Sequence, residues 1–263
     1  YGEINTWDVS LITEMSELFN DKTDFNSDIS NWNVSNVTTM SNMFRNATVF
    51  NIDLSDWNVS NVTSMADMFH SANEFNGNIS SWDVSNVTNM HQMFHWATAF
   101  NQDLSNWNVS NVTNMAAMFW NAFNFNADIS TWDVSSVNNM FAFLTQADSF
   151  NQDLSSWNVS NVTNMSYMFH GAQLFNNDLS SWDISNVTNF DLMFDGGTSL
   201  SDENSCLIHT SWSSNSAWPY DWSGFCETTT TFQPQTKEEL QTAVNLWVSD
   251  NSAALTAYGE INT

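Results

Sequence analysis

The sequence predicts an α/β solenoid: a right-handed rod of eight 25-residue turns, with a parallel β-sheet along one side and short helices along the other. Three observations carry that expectation. Trp7, Trp32, Trp57, Trp82, Trp107, Trp132, Trp157 and Trp182 each stand 25 residues from the last. Stacking the chain on that period gives F-N-x-D-[LI]-S-x-W-[DN]-V-S-N-V-T-x-M-x-x-M-F-x-x-A-x-x, and a fixed period of this length marks an array whose turns bury apolar faces only against neighbours. The 14 Trp, 20 Phe and 13 Met can fill such a core without many Leu.

Within one unit, Phe50 to Glu74, each stretch has an expected place. Leu54, Trp57, Val59 and Val62 have leucine-rich-repeat spacing, so Trp57-x-Val59 is expected as the short strand, with Val62 in the slot that usually holds Asn. Thr63 is expected as a helix N-cap, and Met65, Met68, Phe69 and Ala72 follow at helical spacing as the buried stripe of a short helix. Phe75 turns the chain back. Crossovers of this kind are right-handed, and parallel strands ~4.8 Å apart would give a rod of roughly 40 Å.

The motif W-[DN]-V-S-N-V-T-x-M-x-x-M-F-x-x-A resembles the repeats of BspA-like surface proteins over residues 1–200. The resemblance implies a leucine-rich-repeat-like fold and a place at cell surfaces, where such proteins are linked to adhesion. It supplies no catalytic residues.

Three segments follow from the pattern. Residues 1–200 are the eight repeats. Residues 201–235 break the period and carry both cysteines, Cys206 and Cys226, with Trp212, Trp218, Tyr220, Trp222 and Phe225; they are expected as a disulfide-closed aromatic cap. Residues 236–263 are expected as a capping helix and the start of a following tandem unit. Thr236 and Glu239 have capping-box spacing, and Leu240, Val244, Trp247 and Val248 share one face. Tyr258–Thr263 then repeats Tyr1–Thr6 letter for letter, YGEINT. With no initiating Met, the chain is expected to be a piece of a tandem array with a super-repeat near 257 residues.

Charge narrows the partners. Twenty-nine acidic residues against three Lys and Arg give a formal net charge of −26, which disfavours nucleic acid and anionic membranes. No apolar run is long enough to insert into a membrane. Two cysteines in an otherwise thiol-free chain predict one disulfide and an extracellular setting. Ser10, Ser35, Ser60 and their equivalents are expected to line the exposed sheet face. The acidic column Asp28, Asp53, Asp103, Asp128, Asp153 and Asp178, interrupted by Asn78, has two readings: bound Ca²⁺, or carboxylates accepting backbone N–H bonds at turns.

Sequons are dense: Asn33, Asn36, Asn46, Asn58, Asn61, Asn78, Asn86, Asn108, Asn111, Asn158, Asn161, Asn164 and Asn186 all stand in N-x-[ST]. The repeat itself dictates most of them. Asn46 and Asn78 depart from the common pattern and are the best individual candidates for N-linked glycans. Crowding on neighbouring turns predicts partial occupancy.

His91 and His95 lie four apart, but His95 shares a variable outward slot with His70 and His170, so no metal site is assigned. No P-loop, nucleophile elbow, HExxH or dinucleotide fingerprint occurs, so the chain is not expected to be an enzyme or to carry a cofactor. The sequence is expected to encode a structural subunit of an extracellular glycoprotein filament, appendage or surface coat that assembles with itself. The alternative is a cell-surface adhesin binding glycan or protein through the sheet face. An ice-binding face would need an exposed Thr column, whereas Ser and Asp/Asn are expected outward.

Overall fold

A computed structural model describes residues 2–226, 234, 236–249 and 253. It corrects the expected architecture. Among the described residues there is no β-strand, and the two α-helices, α1 (Asp202–Trp212) and α2 (Lys237–Ser249), both follow the repeats. The right-handed leucine-rich-repeat-like rod, with a parallel sheet on one side and short helices on the other, is therefore not the fold. The repeats are built of successive turns. Neighbouring repeats share isolated parallel bridges, one residue wide, running Glu14 to Thr39, Thr39 to Ser64 and onward to Asn189.

The hydrogen bonds give the physical reason. Where a strand was expected, backbone donors are consumed locally: Trp57 N–H reaches the Leu54 carbonyl at 3.0 Å and Val62 N–H reaches Val59 at 2.8 Å. A strand must leave those donors for its neighbour.

Where a helix was expected, donors leave the segment on alternate residues. The N–H groups of Met65, Asp67, Phe69 and Ser71 bond the carbonyls of Asn89, His91, Met93 and His95 in the next turn at 2.7–3.0 Å. Between them, Met68, His70 and Ala72 close i→i+3 turns onto Met65, Asp67 and Phe69. Asp67 and Ser71 adopt φ of 56°, and their counterparts along the repeats lie between 53° and 82°, so the right-handed run is interrupted at positions four apart. Thr63 is not an N-cap. Both its N–H, at 2.9 Å, and its hydroxyl, at 3.1 Å, donate to the Thr38 carbonyl of the preceding turn.

The apolar positions are nonetheless buried as the period requires. Met65, Met68, Phe69, Ala72 and Phe75 are inaccessible to solvent, as are their equivalents in the next turn. Phe69 stacks on Phe75 at 3.8 Å within the turn and on Phe94 at 5.7 Å in the next. Trp57, Trp82, Trp107 and Trp132 stack at 6.3–6.5 Å with ring planes within 5°. Burying each such ring contributes on the order of 2–3 kcal/mol before entropy is counted. Turn six exchanges two residues, placing Phe143 in the Met68 slot and Leu144 in the Phe69 slot, and Phe143 meets Phe119 and Trp157 edge-on.

Helix α1 seals the far end of the repeats. Ser201 caps it by accepting from Asn204 N–H, and Asp202 and Glu203 lie in its first turn, where the helix dipole favours them. Its last residue, Trp212, is fully buried and stacks on Trp182 at 6.1 Å, extending the tryptophan column.

Candidate functional site: the ladder surface and the disulfide-closed cap

The surface of the repeats is made of columns that recur once per turn. Asp8, Asn33, Asn58, Asp83, Asn108, Asp133, Asn158 and Asp183 form one exposed column. Each uses Oδ1 to accept the N–H two residues on, as Asn58 does from Ser60 at 3.1 Å and Asp83 from Ser85 at 3.0 Å. Asp8, Asp83, Asp133 and Asp183 are held below the usual carboxylate range, first by the serine side chain and then by its backbone N–H.

The serines expected on an exposed face are mostly half-buried. A second column that faces solvent is Thr13, Thr38, Thr63, Thr88, Thr113, Thr163 and Thr188, with Asn138 completing it. Sequence reasoning missed it because Thr63 had been assigned a capping role.

The acidic column Asp28, Asp53, Asp103, Asp128, Asp153 and Asp178 closes turns. Each accepts the N–H two residues on at 2.8–2.9 Å, and Asn78 does the same at 3.0 Å. Among the described residues no three His, Cys, Asp or Glu side chains gather into a metal-holding group.

The sequons fall into distinct environments. Asn33, Asn58, Asn108 and Asn158 are exposed and use Oδ1 within their own turn. Asn36, Asn61, Asn86, Asn111, Asn161 and Asn186 are also exposed, but their Nδ2 groups donate at 2.7–2.8 Å to a serine carbonyl of the preceding turn. Asn46, Asn78 and Asn164 are half-buried. Asn46 adopts φ of 57° and its Nδ2 donates to Asp21 at 2.7 Å, while Asn164 accepts from Ser166.

A further column was not recognised from the sequence. Asn51 Oδ1 accepts Asn76 N–H, Asn76 accepts from Asn101, Asn101 from Asn126, and the ladder continues through Asn151 and Asn176 to Ser201, all at 2.8–3.0 Å. The invariant Asn after each Phe was the available signal.

The cap carries the Cys206–Cys226 disulfide, with Cα atoms 4.8 Å apart. Tyr220 takes Phe194 N–H on its hydroxyl at 3.1 Å, and Asn215 Nδ2 donates to the carbonyls of Ile184 and Val187. The first of those bonds satisfies an N–H that in earlier turns donates to the next turn, as Phe169 N–H does to the Met193 carbonyl. Trp212, Trp218 and Trp222 pack with Phe194 around that edge.

One polar cluster interrupts the columns. Asp67 lies 2.9 Å from His70, 3.6 Å from His91 and 4.0 Å from Arg45. Although its burial opposes ionisation, the two histidines hold its carboxyl well below the usual range. His95 stacks on Trp120 at 4.8 Å, and its Nδ1 is buried without a hydrogen bond. Burial, then the neighbouring His70, pushes His95 down to about 4.

Stacked turns, aromatic columns and a sealed end define a 25-residue repeat protein. The chain belongs to the family described as "Mycoplasma protein of unknown function, DUF285", whose model matches residues 2–106, 56–144 and 97–212. No curated protein matches. Among solved structures it is similar to a leucine-rich-repeat (LRR) protein of Leptospira interrogans, at 10% identity and a TM-score of 0.26, over 73% of this chain and 55% of that one. The chain thus spans about half of that protein, and a likeness so slight carries no argument about fold or function.

Proposed function

We propose that this chain, a BspA-like member of its family, is a structural subunit of an extracellular glycoprotein filament, appendage or surface coat built from tandem units. The observation that carries the reading is continuity: the Trp, Phe, Asn and Thr columns extend a repeating array along one direction. The hexapeptide YGEINT recurs at 258–263, outside the described residues, and supplies the sequence argument for repetition beyond one unit. The disulfide and exposed sequons fit an oxidising, glycosylated setting. The polyanionic surface keeps an aromatic-rich polymer dispersed. No catalytic role is proposed.

Sedimentation of protein purified from its native source tests this reading. Polymeric material with glycopeptides at the exposed Asn33 and Asn58 class is expected. A uniformly monomeric, unglycosylated product would overturn it. The exposed Asp/Asn and Thr columns favour a second reading, an adhesin that binds a glycan or protein along them. Saturable binding by dispersed monomers would support that alternative.

A further inference from the structure

Four slots change freely from turn to turn, those that Ser41, Asn42, Arg45 and Asn46 occupy in turn two. In turns one, three and eight they include Glu17, Asp21, Asp67, Asp191 and Asp195. Across turns four to seven, from His91 to Gly171, the same slots hold no carboxylate. In a chain with a formal charge of −26, that strip is a neutral window.

Aromatic rings stand there in place of charge. Trp120 stacks on His95 at 4.8 Å, Phe141 meets Trp120 edge-on at 6.4 Å, and Tyr167 meets Phe141 edge-on at 5.9 Å, one ring per turn across four turns. Trp96, next in sequence to His95, is 40% exposed and meets Phe123 edge-on at 5.7 Å. Turn two fills the equivalent slots with small and polar side chains, so the core of the repeats does not call for rings at these positions.

Polar atoms in the window are left without partners. Asn121 and His95 are each at least nine-tenths buried, yet Asn121 Oδ1 and His95 Nδ1 have no hydrogen bond. A buried polar atom without a partner costs free energy, which a ligand hydroxyl would recover. Gln92 and Gln146 add side-chain amides in the same slots. Asp148 borders the window one turn on from Phe123, and its carboxylate already accepts from Gln173 Nε2 at 3.3 Å.

Rings framed by uncharged amides suit a neutral, hydroxyl-rich ligand. The C–H face of a sugar lies on an aromatic face, and its hydroxyls bond the amides. A basic protein would be drawn instead to the acidic columns elsewhere on the repeats. Stacked chain segments of this kind stand ~4.8 Å apart, close to the advance of one sugar along an extended polysaccharide. One ring per turn therefore keeps step with a polymer lying along the repeats.

We infer that this window, centred on Trp96 and Trp120, binds a neutral polysaccharide laid along turns four to seven. It occupies slots other than those of the Thr and Asp/Asn columns. It goes beyond the structural reading above and stands whether the unit works alone or within a filament.

The test is affinity electrophoresis of the full chain through native gels containing hydroxyethylcellulose, laminarin or galactomannan, with alginate as the acidic polymer. Retardation by at least one neutral polymer, and none by alginate, is expected. Trp96→Ala should weaken it roughly tenfold or more, as loss of an aromatic anchor does. Trp96→Phe keeps a ring and should retain most of the binding. Gln146→Ala removes one exposed amide and should weaken binding by a smaller factor, which keeps the test open if W96A fails to fold. Leu11→Ala, which trims a side chain 88% exposed on turn one, is the control and should bind as the unaltered chain does. Retardation unchanged in both W96A and Q146A, or equal retardation by alginate, overturns the site. A chain retarded by none of the neutral polymers also overturns it and leaves the window to a protein partner.

Discussion

The Leu54 carbonyl accepts two donors at once: Trp57 N–H at 3.0 Å within its own turn and Trp82 Nε1 at 2.9 Å from the next. One buried oxygen both closes a turn and fixes the ring of its neighbour. The same relation recurs for Ile29 with Trp57, Ile79 with Trp107, Leu104 with Trp132, Ile129 with Trp157 and Leu154 with Trp182. Tryptophan is required here for its N–H as well as its bulk.

Trp82→Phe should therefore cost more than its lost apolar area. The substitution leaves Leu54 with one donor and opens space beside Trp57 and Trp107, for an expected loss of about 2–4 kcal/mol. Denaturant unfolding against wild type measures it, and a loss below about 0.5 kcal/mol would refute the pairing.

Replacing Ala142 by Gly distinguishes the turn architecture from a helix. Ala142 adopts φ of 53°, a conformation that is strained for an L-residue with a Cβ. Relief of that strain outweighs the extra freedom of the unfolded chain, so Ala142→Gly is expected to be neutral or stabilising by up to about 1 kcal/mol. In a helix the same change would cost about 1 kcal/mol. The sign of the shift in unfolding midpoint decides.

Gly77→Ala should act in the opposite direction. A Cβ at Gly77 would stand 2.0 Å from the backbone oxygen of Ile52, and backbone cannot rotate away as a side chain can. A loss of roughly 1–3 kcal/mol is expected. Unchanged thermal stability would contradict the close approach of these turns.

His95 gives a pH dependence with a defined sign. Its folded value lies near 4, below its ordinary 6.5, so between those pH values the unfolded chain binds a proton that the native protein does not. Its contribution is intact above pH 6.5 and is lost as pH falls toward 4, by roughly 3 kcal/mol at about 1.4 kcal/mol per unit. His95→Phe keeps a ring against Trp120 and removes the titration. Its stability should fall less steeply across that window. Parallel curves for the two proteins would remove His95 from the account.

Much of the packing was legible in the sequence, while the backbone was not. Recurrence of Trp57, Met65, Met68, Phe69 and Phe75 identified the buried slots. Apolar residues three and four apart equally describe one helical face and a chain of i→i+3 turns, and the periodic pattern cannot separate them. A discriminating signal existed. The slot of Ser71 also holds Asp21, Asn46, Asn121, Gly171 and Gly196, residues suited to positive φ, and both glycines adopt it at 68° and 82°. Trp96 and Gln146 in the same slot obscured it. The Cys206–Cys226 pair was readable because no other cysteine competes, whereas the cluster around Asp67 depends on side chains from three neighbouring turns.

Negative-stain electron microscopy of protein taken from its native source tests the proposed function most directly. Long fibres with a regular axial repeat are expected, one period per unit of stacked turns and cap. Dispersed single particles at every concentration and salt condition would contradict it and leave the exposed Thr and Asp/Asn columns as the surface of an adhesive module.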